Sequence, residues 1–306
     1  MLQRLASWQY AGAAAILVAA FLWSLDALLR QSLYSLPSMF IVFAEHGLGL
    51  LLTLPWLIKY WSKIQRLSRR TWSSLFWISI FGGLLGTLAY TSALSYINYI
   101  NFSVVVLLQK LQPIFAIVLA RIVLKERFKG KFILWAMLAL LGSYLVAFPH
   151  IVPRWQDGGK NIWAGLLAVG AAFAWGSSTV MGKYSLRDLD TRIVTPVRLG
   201  LTTVASGLIL LFITPFAEIS NIRYEQLGFL IAIVLSSGTV ALSLYYFGLK
   251  KVDASQATIL EMFWPVSAVL IDWIGFGHTL TASQILGAVF MLFAIYRVTR
   301  RVANDI

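Results

Sequence analysis

The chain is 306 residues long, 59% hydrophobic and only 12% charged, with 25 Lys and Arg against 12 Asp and Glu. A soluble domain carries roughly 25% charged residues, so this supply cannot cover a water-facing surface and the apolar side chains must face lipid. Cysteine is absent, which excludes disulfides, thiolate metal sites and a cysteine nucleophile.

A helix needs about 20 mainly apolar residues to cross the hydrocarbon core. The sequence predicts an all-α integral membrane protein with ten transmembrane helices, over 10–29, 38–57, 72–96, 102–124, 131–149, 161–181, 193–214, 227–249, 254–275 and 282–298. The first stretch is longer than the apolar segment of a signal peptide and is followed at once by further spans, so it reads as a helix of the mature protein. The links at 98–101 and 250–253 are the shortest and must turn the chain tightly.

Basic residues orient these spans. Eighteen Lys and Arg fall on the face holding both termini and the even-numbered loops. Four (Arg30, Arg154, Lys160, Arg223) fall on the other face, and Lys110, Arg121 and Arg198 lie within spans. This positive-inside bias predicts a multi-pass protein of the inner (cytoplasmic) membrane with both termini in the cytoplasm. It also accounts for the formal charge of +13 without nucleic acid as a partner. Trp8, Trp56, Trp61, Trp72, Trp155, Trp163 and Trp273 lie near span ends, where an interfacial aromatic belt is expected.

Shifting the sequence by 152 residues aligns it with itself without gaps. Phe21-Leu22-Trp23 meets Phe173-Ala174-Trp175, Gly86-Thr87-Leu88-Ala89 meets Gly238-Thr239-Val240-Ala241, Ser103 meets Ser255, and Pro113 meets Pro265. Residues 1–150 and 151–306 are therefore two five-helix repeats. Five is odd, so the second repeat must lie upside down relative to the first: two inverted-topology repeats, the plan of many secondary transporters.

Charges deep in a span are costly and mark functional candidates. At 1.5 Å rise per residue, Glu45, Lys110 and Glu261 lie about 10 Å or more from the nearer helix ends, and Arg198 about 7.5 Å. Arg198 aligns with His46, beside Glu45, and Glu261 aligns with Gln109, beside Lys110. Two pseudo-symmetric pairs follow, Glu45 with Lys110 and Arg198 with Glu261. They serve either a charged substrate and a transported proton, or the pinning of one helix to another. Pro113 and Pro265 stand four residues after Gln109 and Glu261, whose carbonyls lose their helical donors. Gln109, Gln112, Glu261 and Trp264 are thereby placed at kinks that line a cavity or merely shape packing. Trp23, Trp175, Trp264, Tyr90, Tyr245 and Tyr246 form either an aromatic cavity wall, suited to an aromatic or cationic cargo, or ordinary packing. His46 is titratable or simply hydrogen-bonded. Asp26 and Asp272 lie toward the outer helix ends, in a vestibule or at the headgroups. Gly82-x-x-x-Gly86 and Ala139-x-x-x-Ser143-x-x-x-Ala147 have helix-packing spacing. Glu126-Arg127 reads as a helix cap or local ion pair.

Leu111-Gln112-Pro113-Ile114-Phe115-Ala116 with Leu124-Lys125-Glu126-Arg127-Phe128, and Trp264-Pro265-Val266 with Phe276-Gly277-His278-Thr279-Leu280, carry a family resemblance. The sequence resembles the drug/metabolite transporter superfamily, specifically proteins with paired EamA domains, over nearly its whole length. His278 stands where that family usually has Glu, and Tyr96 replaces a small residue that Gly248 keeps. The resemblance implies the inverted ten-helix fold, a small-molecule substrate and export as the usual direction.

No phosphate-binding loop, dinucleotide turn or GxSxG motif is found, and the three histidines lack metal-ligand spacing. The expectation is a secondary transporter that exports small amino-acid-like metabolites or drugs, without cofactor or metal, with protons as a possible coupling ion. It acts as a monomer or homodimer. The alternatives are a lipid or hydrophobic-precursor flippase on the same fold, or a membrane-embedded enzyme, which would need a nucleophile and base that the sequence does not offer.

Overall fold

The apolar runs fold as helices because a backbone in lipid must satisfy its own polar groups. The structure, a computed structural model, describes residues 2–33, 35–95, 108–128, 130–148, 159–213, 222–277 and 279–304, and among them the regular structure is entirely helical. Eight helices are long and apolar enough to cross a membrane: α1 (Tyr10–Arg30), α2 (Ser38–Lys59), α3 (Arg69–Ala93), α6 (Trp163–Leu186), α7 (Thr191–Ile213), α8 (Tyr224–Leu249), α9 (Ala254–Gly275) and α10 (Ala282–Arg300). Two shorter apolar helices, α4 (Gln112–Leu124) and α5 (Phe132–Ala147), complete the set. The first part of the expected fourth span and the 98–101 link lie outside the described residues, as do His278 and Tyr96.

Packing repeats with the sequence. α1 packs on α8 and α9, and α6 packs on α3 and α4; α2 packs on α7, α5 on α10, and α4 on α9. Exchanging the two repeats leaves this pattern unchanged, as an internal two-fold requires. Inversion is visible at one end of the bundle. Glu126, just past the C-terminal end of α4, accepts hydrogen bonds from the N-terminal backbone of α9. The repeat-equivalent helices α4 and α9 thus run antiparallel.

Small residues let the helices approach as their spacing predicts. A Cβ on Gly142 of α5 would lie 2.6 Å from the Gly287 carbonyl oxygen of α10, so the two backbones touch beside the buried Ala139 and Ser143. Gly82 and Gly86 of α3 face Ser178 and Trp175 of α6.

Three helices that read as continuous are interrupted. α1 breaks at Leu25, between Leu2–Ser24 and Asp26–Gln31. α8 breaks between Tyr224–Leu235 and Thr239–Leu249, where Ser236, Ser237 and Gly238 form turns. In α3, Ile78–Leu85 is π-helical before Gly86 resumes the α-form; Gly86 is the repeat equivalent of Gly238. Breaks of this kind are tolerated where they are covered by protein or line a cavity.

The α8–α9 link does turn tightly, and it is stitched to its neighbours. Glu126 receives Ala254 N–H at 2.8 Å, Ser255 N–H at 3.1 Å and the Ser255 hydroxyl at 2.6 Å, so it caps α9, as one of its two readings held. Lys183 at the end of α6 donates to the carbonyls of Leu249 (2.9 Å), Lys250 (3.2 Å) and Val252 (2.6 Å). A cation there complements the C-terminal carbonyls of α8. Lys183→Met strands three acceptors and is expected to cost about 1–3 kcal/mol; Glu126→Ala is expected to cost about 1 kcal/mol, as lost N-caps do. Thermal unfolding in detergent, read for both variants, checks the order.

Candidate functional site

Between the two repeats lies a cavity of about 240 Å³, somewhat below the roughly 300–1,000 Å³ usual for small-molecule pockets. Every residue expected to bind or couple reaches its wall: Glu45, His46, Gln109, Lys110, Gln112, Arg198, Glu261 and Trp264, with Trp23, Trp175, Tyr90 and Tyr245. Pro113 lines it as well. The prolines act as expected in breaking the helices, since turns at Lys110 and Leu111 precede α4 and turns at Glu261 and Met262 divide α9. The Glu261 carbonyl, however, is not left free. It accepts Trp264 N–H at 3.0 Å in a tighter turn, so Pro265 shapes the helix and aims the Glu261 side chain instead of baring a backbone acceptor.

The partners differ from the expected pairs. Glu261 is not bound to Arg198. It accepts from Gln112 Nε2 at 2.6 Å and from the Tyr245 hydroxyl. Gln109 Nε2 donates to Gln112 Oε1 at 3.0 Å, and the Tyr245 and Thr179 hydroxyl oxygens are 2.8 Å apart. One hydrogen-bonded chain thus runs from Gln109 through Gln112 and Glu261 to Tyr245 and Thr179. It joins the α4 region, α9, α8 and α6. Arg198 Nη1 instead donates to the Tyr246 hydroxyl at 2.6 Å, and its Nε is buried without a hydrogen-bond acceptor.

Lys110 is not bound to Glu45. Its Nζ lies 3.8 Å from the centre of the Trp264 ring, within cation–π range. Glu45 meets Arg30, with Arg30 Nη2 at 2.9 Å from Glu45 Oε1. Arg30 also holds Asp26 in a fork, Nε to Oδ2 at 2.7 Å and Nη2 to Oδ1 at 3.1 Å. Arg30, counted with an outer loop in the sequence, lies with Asp26 in the helix Asp26–Gln31 that ends α1. Both line the cavity, and Arg30 is only 5% exposed. Their spacing of four on one helix is the signal that marks them; standing at the end of an apolar run made them look like flanking residues. His46 Nδ1 pairs with the Val42 carbonyl at 2.8 Å, the hydrogen-bonded reading of that residue.

The aromatic residues do line the cavity, and the two tryptophans are repeat equivalents although their tyrosine partners are not. Trp23 packs against Tyr245 at 5.2 Å between ring centres, and its repeat equivalent Trp175 against Tyr90 at 5.3 Å. Trp175 Nε1 also donates to the Gly82 carbonyl at 3.1 Å, which fixes that ring against α3. The cavity therefore offers two flat apolar faces, amide donors and acceptors on one side, a cation over Trp264, and a charged cluster at the α1 break. No group of three His, Asp or Glu able to hold a metal occurs among the described residues.

Comparison with known proteins agrees with this architecture. Riboflavin transporter ImpX of Fusobacterium nucleatum is 36% identical over 291 residues, covering 94% of this chain and 97% of that protein. The uncharacterized transporter YoaV of Bacillus subtilis is 23% identical, covering 71% and 73%. A crystal structure 18% identical to this chain superposes with a TM-score of 0.77 over 96% of this chain and 98% of that one, which shows the fold alone. The EamA-like transporter family matches twice, over residues 10–148 and 162–300, once in each repeat. With a cavity at the junction of those two matched halves, the chain belongs to the EamA-like transporter family.

Proposed function

We propose that this protein is a secondary carrier of a planar heteroaromatic metabolite, with riboflavin as the first candidate, working by alternating access of two inverted repeats across ten membrane crossings, both termini in the cytoplasm. The observation that carries the reading is the pair of Trp–Tyr walls facing the Gln109–Gln112–Glu261 chain in one cavity. A flavin has a flat tricyclic ring and a pyrimidine edge on which one N–H stands between two carbonyls. Aromatic faces take the ring, and side-chain amides with Lys110 complement the edge. Likeness to a relative named as a riboflavin transporter supports the same cargo.

A second reading keeps the amino-acid-like cargo. Lys110 and Glu261 line the same cavity with no ion pair between them among the described residues, so each is available to one end of a zwitterion. Export is the direction that the family pattern favours. Counterflow of labelled riboflavin into liposomes holding the purified protein separates the readings. Trapped unlabelled riboflavin is expected to accelerate uptake and unlabelled amino acids are not. Trp175→Ala is expected to weaken apparent affinity by about 10-fold, within the 1–3 kcal/mol span of aromatic–base stacking. Competition by amino acids, with no riboflavin counterflow, would favour the second reading.

A further inference from the structure

Asp26, Arg30 and Glu45 form a buried cluster with two carboxylates and one cation. Shifting by one repeat places them on Ser178, Gly182 and Val197. The three equivalent positions in the other half are all neutral, and the charge beside them, Arg198, has no carboxylate partner among the described residues and donates to the Tyr246 hydroxyl, so the fold itself does not need two carboxylates around a cation here. One net negative charge is held in an apolar part of the protein, where it is expensive and marks function.

The geometry divides the two carboxylates. Asp26 has three hydrogen bonds: two from Arg30, and one from Ser237 Oγ at 2.8 Å. Among the described residues, Glu45 has the single contact to Arg30 Nη2, a nitrogen already engaged by Asp26, and its Oε1 meets no well-aligned donor. The other charged or titratable groups around it are His46 on α2 itself and Arg198 from α7. α8 contributes the neutral Ser237, and the charges of α3, Arg69 and Arg70, lie at its opposite end. Glu45 lines the cavity wall.

We infer that Glu45 is the proton-binding site of this carrier: water in the cavity delivers a proton to its carboxylate, which becomes the neutral acid, neutralises the cluster, and returns the proton on the other side of the membrane. Its position makes this consequential. Asp26 follows the break in α1, and Ser237 lies in the break in α8, so Arg30 and Asp26 tie both breaks together while Glu45 ties α2 to them. Protonated Glu45 gives up its ionic contact with Arg30 and frees α2 to move relative to the α1–α8 junction. The coupling half of this inference rests on the cargo reading above; the proton site does not.

Two measurements test it on the full-length protein. Infrared difference spectra between acidic and alkaline buffer, taken in lipid without any cargo, are expected to show a titrating carboxylic C=O band that Glu45→Gln removes, Glu45→Asp retains at a shifted frequency, and Glu261→Gln leaves in place. A band untouched by Glu45→Gln overturns the site. In liposomes with equal riboflavin inside and out, an imposed gradient of one pH unit is expected to drive accumulation toward about 10-fold at one proton per molecule. Glu45→Gln is expected to exchange riboflavin but not accumulate it. Wild-type exchange indifferent to the gradient, or accumulation by Glu45→Gln, overturns the coupling. If riboflavin does not move at all, the cargo reading fails, and the infrared result still decides the proton site.

Discussion

Replacing Glu261 with Gln is expected to slow riboflavin exchange by about 100-fold or more while the protein still folds. Glu261 receives two donors, Gln112 Nε2 and the Tyr245 hydroxyl. A carboxylate accepts on both oxygens, whereas an amide accepts on one and donates from the other. In Glu261→Gln, the new NH₂ must face one of those donors. Either the Gln112 amide flips, which breaks its bond from Gln109, or Tyr245 reverses its hydroxyl and gives up the present arrangement with Thr179. Both disturb the side of the cavity that complements the pyrimidine edge. Removing one partner from a buried charged hydrogen-bonded set costs about 2–5 kcal/mol, and each 1.4 kcal/mol is about tenfold. Tyr245→Phe removes one donor and keeps the carboxylate, so a smaller loss is expected, about 1.5–3 kcal/mol for one charge-assisted bond. The rank order, read from initial exchange rates at matched protein content, is the check. Equal and full activity in both variants would remove this chain from the binding site.

The sequence made the large features legible because they depend on quantities that a sequence carries directly. Apolar length gives spans, the 152-residue shift gives two halves, and an odd number of helices per half gives inversion. The depth of a charge along its helix follows from counting residues, which is why Glu45, Lys110, Arg198 and Glu261 all do reach one cavity. Which groups touch depends on the rotation of each helix about its axis and on its kinks, and neither is written in the spacing. The turn before Pro265 re-aims Glu261, and the helix after the break at Leu25 presents Arg30 to Glu45, so the two acids meet Gln112, Tyr245 and Arg30 instead of the expected bases. The α8 break was hidden for a related reason: Ser236, Ser237 and Gly238 are small residues that sit as readily in a membrane helix as in a turn. Pseudo-symmetry also misleads when taken too far. It pairs Trp23 with Trp175 correctly, yet it predicts two matching ion pairs, whereas the structure concentrates three charges, Asp26, Arg30 and Glu45, in the first half and ties Glu261 of the second half to the amides of the first.

That concentration makes Arg30 the most vulnerable residue of the cavity. Arg30→Met leaves Asp26 and Glu45 as two buried carboxylates facing each other with no cation between them. Breaking a buried ion pair from one side costs about 3–5 kcal/mol, a large part of the 5–15 kcal/mol that holds a typical protein together. The expected result is a sharp fall in the yield of monodisperse protein and in its thermal midpoint, larger than for any single carboxylate variant. Arg30→Lys is expected to recover little, because an ammonium cannot reproduce the fork on Asp26 while also reaching Glu45. Asp26→Asn with Glu45→Gln, added to Arg30→Met, is expected to restore most of the stability, since a neutral cluster has no charge left to bury. Size-exclusion profiles after heating, compared across these variants, separate electrostatic from packing causes. If the neutral triple variant is as unstable as Arg30→Met, it is the arginine's shape that the site needs. If it recovers folding yet fails to accumulate cargo under a pH gradient, the charges are present for transport and the fold can do without them.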